Sequence, residues 1–532
     1  MIGKLDEFIE RDPGKAFIFL LVLAIPAFFV NLGLLPLFAD EPTRANVALE
    51  MILSKNYSVP TIGGEYYYNK PPLYNWILAA TYLLSGNFSE FATRLPAIVP
   101  LFLFTVTIWL AVACFLRDKR IALLSAILFM VNSRMLLYDS MLGHIDIFYS
   151  WLTFGSFMLI FHFYRKEQWL QVFLFSYLIT AVTFLCKGLP SIVFQGMTLI
   201  ALLAYTRNLK KLFSWQHILP GLLCVFIIGA YFYNYSRYNP NLGGYFATIW
   251  DQSSQRTAVR AGLWKTFGYV LTFPFEHLVH LLPASLLLLF CVKRSSRKEI
   301  FGHPFLRFLL ITFLANIWIY WLSPETRPRY LLMLYPLLLI TFSYGYYTYR
   351  DSLPKTNRVF NHILLAIACI ITLAVPSTLF AGLQQAVPLL GVKTAAIFVS
   401  AAFFTWLIYR LDKAKIVAFA GLLLVARLGF SWFVLPERFQ RRDAVYFRHA
   451  ATEMGTLSRN KPFYFYQYHP EVLTIPFHDR LIFYIERSRM KKVEFTEQDI
   501  KPGYYFTFDR DLKNPSALLL KEYRGLKLFE IK

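Results

Sequence analysis

The sequence predicts a mainly α-helical protein that crosses a membrane many times and ends in a small α/β domain. Three observations carry that prediction. First, 57% of the 532 residues are hydrophobic and only 16% charged, far more apolar than a soluble chain of this length needs. Second, apolar runs long enough to cross a hydrocarbon core, roughly 20 residues each, recur from residue 16 to about Pro436, about thirteen in all. Third, the composition changes sharply at Glu437, where charged residues become frequent and short β-prone runs appear, such as PFYFYQY, GYYFTF and LKLFEIK. The reading therefore divides the chain into a transmembrane part, 1–435, with a first outer loop at about 39–95, and a small α/β domain, 436–532.

The formal charge of +22 does not point to nucleic acid, because of where the cations sit. They gather in short loops at every second crossing: Arg117, Lys119 and Arg120; Arg165 and Lys166; Arg207, Lys210 and Lys211; then the clusters near Arg294, Arg350 and Arg410. This is the positive-inside pattern, and it sets the N-terminus in the cytoplasm and the C-terminal domain outside. The first run, 16–38, is longer than a signal-peptide core and has no convincing cleavage site, so it reads as a retained span. Five cysteines lie in or at the ends of apolar runs without paired spacing, which suits packing rather than disulfides.

In chain order, the first span leads into ADEPTRANVALEMILSKNYSVPTIGGEYYYNKPP, where Asp40 can cap a short helix carrying Pro42 and ending near Ser54. Residues 73–84 are apolar but too short to span, and are expected to lie in the interface plane. The second and third spans bring the chain back to an outer turn with His144 and Asp146 at the start of the fourth. Residues 169–205 are too long for one span, and Lys187, Gly188 and Pro190 break them into two helices. A turn-rich outer loop follows 215–235, a descending span runs through FPFEHLVHLLPAS, and the outer turn SPETRPRY holds Arg329. Three further spans precede Pro436.

The polar residues at outer helix ends are Asp40, Glu41, Arg44, Lys70, Asp146, Lys187, Arg256 and Arg329, all on one membrane face. Ionisable groups near hydrocarbon are costly, so they line polar cavities and mark function. Carboxylates among several cations suit transfer of a group from a phosphate-linked leaving group: a carboxylate takes the acceptor's proton and cations offset the charge growing on phosphate. A soluble nucleotide donor has no support, since neither a P-loop nor a dinucleotide glycine motif is present.

Asp40-Glu41 after the first span, Arg44, YYYNKPP with Tyr68 and Lys70, the R-L-P at Arg94, the H-I-D ending at Asp146, the C-K-G around Lys187 and RYLLMLYP from Arg329 together resemble the protein-mannosyltransferase and aminoarabinose-transferase superfamily of GT-C-fold glycosyltransferases. The resemblance is dense over 1–205 and thinner to 350. It implies an inverting transfer from an undecaprenyl- or dolichyl-phosphate sugar, at the outer face of a bacterial inner membrane, to lipid A, another glycan or a protein. It implies Asp40 as the chief catalytic acid with Glu41 beside it, Asp146 as a second essential acid and Lys187 as a lysine pairing with the first-loop acid. Lys70 is implied as a lipid-phosphate contact, with Arg44, Arg256, Arg329, Tyr330 and Tyr68 as further phosphate and lipid contacts. Aminoarabinose transferases carry a metal-associated acid before the lysine of the K-P motif; here that position is Asn69, which argues against a divalent metal there, and a divalent metal stays only as the alternative to no cofactor.

Simpler roles stand beside these. Asp40 and Glu41 can serve as helix-start acids, Lys70 as a snorkelling lysine, and Asp146 as a cap, with Asp139 its rival as the functional acid. Glu276, His277 and His280 form E-H-x-x-H, a spacing that can put two imidazoles on one face for a metal. The other functional class is a lipid-linked sugar flippase or secondary transporter, which predicts charges at mid-membrane depth and an internal repeat.

Overall fold

The structure is a computed structural model that describes residues 2–254, 262–324, 326–467 and 478–532. It is a multi-pass membrane protein: among the described residues nine helices are long and apolar enough to cross a membrane, or ten if a bent pair counts as one span. The expected count of about thirteen is not reached by length, because three apolar helices are short: Pro13–Phe29 with 17 residues, Pro190–Tyr205 with 16 and Tyr335–Tyr349 with 15. The descending span expected through FPFEHLVHLLPAS is the bent pair, Trp264–His280 and Ala284–Phe290, turned by 105°. The turn-rich loop before it contains a helix of its own, Leu242–Ser254.

The chain forms two compact units. The first comprises 1–32, 97–230 and 249–437. Its helices include Ile145–Tyr164 and Trp169–Lys187, an antiparallel pair joined by the polar turn RKEQ. Residues 169–205 divide at Gly188, whose φ of +85° suits glycine, and Pro190 starts the next helix where its missing N–H is not needed. At the basic end, Asp6 accepts the backbone N–H groups of Asp412, Lys413 and Ala414, satisfying donors of the turn that precedes helix Lys415–Gly429.

The second unit comprises 33–96, 231–248 and 438–532. Helix Glu41–Ser54 packs on Leu73–Ser85 and on the C-terminal helix His478–Arg489. The C-terminal sheet has five strands in the order 494–496, 463–466, 503–508, 526–531, 518–523. Strand Phe463–Tyr466 is parallel to both neighbours and buried at every position, while the last two pairings are antiparallel. Glu90 ties the first loop to this domain, accepting Tyr484 Oη at 3.1 Å and pairing with Arg448 at 3.1 Å and Arg487 at 3.4 Å.

Candidate active site

In the first unit, the antiparallel helix pair brings the first turn of Ile145–Tyr164 beside the last residue of Trp169–Lys187. A carboxylate at a helix N-terminus and an ammonium at a helix C-terminus are each favoured by the local dipole, so the two ends attract. Lys187 Nζ donates to Asp146 Oδ1 at 2.6 Å. The turn Pro328–Leu331 adds Arg329, whose Nε stands 3.1 Å from Asp146 Oδ2 as an ion pair. Both carboxylate oxygens are thus held by cations. Asp146, Lys187 and Arg329 are all buried.

Aromatic rings close around the lysine. Its ammonium lies 4.8 Å from the Tyr149 ring centroid and 4.4 Å from that of Tyr330, where the ring quadrupole favours a cation. Arg329 Nη1 stands 3.1 Å from both ring nitrogens of His144. Alongside, Arg134 grips Asp139 through two bonds of 3.0 and 2.7 Å. Burial, opposed by Arg134, pushes the Asp139 carboxyl up to about 6, with the neighbouring charge of Asp146 adding to the rise. The described groups hold more cations than carboxylates, Lys187, Arg329 and Arg134 against Asp146 and Asp139, and the excess grows when Asp139 is protonated. Such a cluster is suited to an anion.

In the second unit the acid pair separates. Glu41 is fully buried and accepts Arg94 Nε at 2.8 Å and Nη2 at 3.0 Å, while Phe38 N–H donates to it at 2.8 Å. Asp40 is exposed, and although it occupies the N-cap position of Glu41–Ser54 its side chain makes no capping bond, contrary to expectation. The difference is conformational: Asp40 has φ −84° and ψ −1°, helical rather than the extended backbone that aims a cap side chain back at the first turn. Arg44 is buried against Tyr67, 5.5 Å from its ring centroid, and its Nη1 makes no hydrogen bond. Tyr68 Oη accepts from Asn239 at 3.2 Å, Lys70 is half-buried and Asn69 is exposed.

The structure therefore joins Asp146, Lys187, Arg329 and Tyr330 in the first unit, and holds Asp40, Glu41, Arg44, Tyr68 and Lys70 in the second. The lysine implied to pair with the first-loop acid donates to Asp146. Arg256 lies outside the described residues. The residues that sequence reasoning passed over as partners are Arg94, His144 and Tyr149; the R-L-P and H-I-D motifs marked the first two. E-H-x-x-H does not assemble a metal site: Glu276 is exposed, His277 Nδ1 is hydrogen-bonded with Tyr335 Oη at 2.8 Å, and among the described residues no three His, Cys, Asp or Glu side chains converge on one point.

Over 96% of its length this chain superposes on 97% of ArnT from Cupriavidus metallidurans, in a crystal structure bound to undecaprenyl phosphate, with a TM-score of 0.65 at 17% identity. The fold is that of a GT-C glycosyltransferase. The apo crystal structure of the same GT-C protein agrees, with a TM-score of 0.66 and 16% identity over the same shares. By sequence, residues 69–233 match the family described as dolichyl-phosphate-mannose-protein mannosyltransferase. Two undecaprenyl phosphate-alpha-4-amino-4-deoxy-L-arabinose arabinosyl transferases are similar. That of Shewanella sediminis is 26% identical over 206 residues, 37% of each chain. That of Proteus mirabilis is 22% identical over 378 residues, 66% of this chain and 65% of its own. The GT-C resemblance read from the motifs thus agrees with both kinds of comparison.

Proposed function

We propose that the protein is an integral-membrane glycosyltransferase that moves a sugar from a polyprenyl-phosphate donor, undecaprenyl phosphate-linked, to an acceptor on the outer face of a bacterial inner membrane. The observation that carries this reading is the buried cluster in which Asp146 lies between Lys187 and Arg329, walled by Tyr149 and Tyr330. Buried cations at such a cluster suit an anionic ligand, and a lipid phosphate is one. The likeness to a protein crystallised with undecaprenyl phosphate supports the same donor class.

The chemistry follows from the charges. Asp40, exposed and not engaged in capping, takes the proton of the acceptor hydroxyl as its oxygen attacks the anomeric carbon. The anomeric C–O bond to phosphate breaks on the opposite face, its electron pair passes to the phosphate oxygen, and the configuration inverts. The departing polyprenyl phosphate gains negative charge, which Lys187, Arg329, Lys70, Arg44 and Arg256 offset. Asp146, with both oxygens held, acts as a positioning residue for the two cations, and Glu41 positions Arg94. Tyr68 and Tyr330 line the lipid path. No step is routed through a metal, because Asn69 offers an amide where an acid would be needed. In this reading 1–435 is the catalytic transmembrane domain, 436–532 an outer α/β domain, and the N-terminus cytoplasmic. Lipid A, another glycan and a secreted protein are the acceptor classes.

The test is lipid binding by the purified chain. Undecaprenyl phosphate is expected to bind at least tenfold more tightly than undecaprenol, a margin of about 1.4 kcal/mol, and Lys187→Met with Arg329→Met to remove the margin. Equal binding of phosphate and alcohol by the unaltered protein refutes the reading.

A further inference from the structure

At the basic end of the first unit, a polar pocket of about 380 Å³ that shares no residue with the site above opens between the start of helix Pro354–Ala374 and the start of helix Lys415–Gly429. Arg350, Arg358 and Lys415 line it, with Asp351 as the carboxylate among its lining residues. Arg350 is 5% exposed; it donates to Glu10 and to the carbonyl of Lys413, but its Nε makes no hydrogen bond, the Asp351 carboxylate standing 3.9 Å away. Glu10 offsets Arg350 and also pairs with Arg120, so that Arg350, Arg358 and Lys415 outnumber the carboxylates Glu10 and Asp351 by one. The helix of 21 residues that starts here, with Pro354 and Asn357 lining the pocket, has no side-chain cap, and the positive end of its dipole lies at the pocket. A buried guanidinium edge without a hydrogen bond, three cations against two carboxylates and an uncapped helix start form an anion site.

The helix also says what carries the anion. Beyond the pocket, Val359, Ala366, Ile370 and Leu373 fall on one exposed face, and only 22% of the apolar window of this span is buried by the rest of the protein. An apolar stripe that begins at a cation pocket fits a molecule with hydrocarbon tails and a phosphate head.

We propose that this pocket is a binding site for the phosphate of an anionic phospholipid, with its acyl chains along the Val359 to Leu373 face. The site is separate from the donor site and does not depend on the transferase reading. Native mass spectrometry of the full chain in detergent tests it, with phosphatidylglycerol, phosphatidylcholine and inorganic phosphate as probes. Phosphatidylglycerol is expected to be retained over phosphatidylcholine, and Arg358→Ala with Lys415→Ala to lower that retention about tenfold or more, on the scale of two Lys or Arg contacts to anionic lipid. The charge-conserving pair Arg358→Lys with Lys415→Arg is expected to keep it, which separates loss of the site from loss of the fold. Competition by inorganic phosphate at millimolar concentration would assign the site to phosphate as such. Equal retention of both lipids, or unchanged retention in the alanine variant, overturns the proposal.

Discussion

Replacing Arg94 by alanine removes its two hydrogen bonds to the Glu41 carboxylate, which is buried, 0% exposed, and also accepts the Phe38 N–H at 2.8 Å. Breaking a buried ion pair from one side costs roughly 3–5 kcal/mol, because the surviving charge loses its compensation. Glu41→Leu on its own strands the guanidinium in the same way. Replacing both, as Glu41→Leu with Arg94→Met, removes both charges, and the cost is expected to fall to about 1–2 kcal/mol. Membrane proteins commonly unfold irreversibly, so the assay is the apparent melting temperature at one fixed scan rate in one detergent. Each single variant is expected to melt roughly 3–5 °C lower and the double variant to recover most of that loss. Additive losses in the double variant, or single variants that melt with the wild type, would refute the assignment of Glu41 to a structural pair.

Other expectations concern buried acids and a turn. The raised folded-state pKa of Asp139, about 6, means that its contribution to stability is fully present below the ordinary carboxylate value and is lost as pH rises through 6. Melting temperature is therefore expected to decline between pH 4 and 7, and Asp139→Asn to flatten that decline; an unchanged slope rejects it. In the second unit, Glu486 is fully buried and its Oε2 has no hydrogen-bond partner. Burial first and the charge of Glu50 second push its carboxyl well above the ordinary range. Glu486→Gln is expected to raise melting temperature more at pH 8 than at pH 5, whereas a larger gain at pH 5 contradicts the sign. Gly63 has φ +59°, and a Cβ there would enter the Phe495 ring, so Gly63→Ala is expected to cost about 1–3 kcal/mol in thermal unfolding; a neutral change would mean the hairpin can move away.

Local chemistry was legible in the sequence. The break at Gly188 and Pro190 needs only the backbone limits of those two residues, and FYFY and GYYFTF announce strands through their aromatic content. Partner choice was not legible. Arg94 and Glu41 are separated by 53 residues, and Arg329 and His144 by 185, so residue type reveals a charge without its match. Asp40 and Glu41 show the limit best: they are adjacent at a helix start, and only the folded chain tells which acid is buried on arginine and which is exposed. Helix length was not legible either: three of the apolar runs form helices of only 15 to 17 residues, whose ends the sequence does not mark. The E-H-x-x-H spacing did set two imidazoles near each other, ring centroids 5.5 Å apart, but Tyr335 had already taken one.

The central claim is a sugar transfer from a polyprenyl phosphate in which Asp40 takes the acceptor's proton. It is tested most directly by the rate of transfer from an undecaprenyl-phosphate-linked sugar in proteoliposomes, comparing the unaltered chain with Asp40→Asn at equal folded amount. Loss of a general base predicts a rate lower by about 10²–10⁴-fold, with binding of undecaprenyl phosphate retained. Equal rates for the two proteins would contradict it.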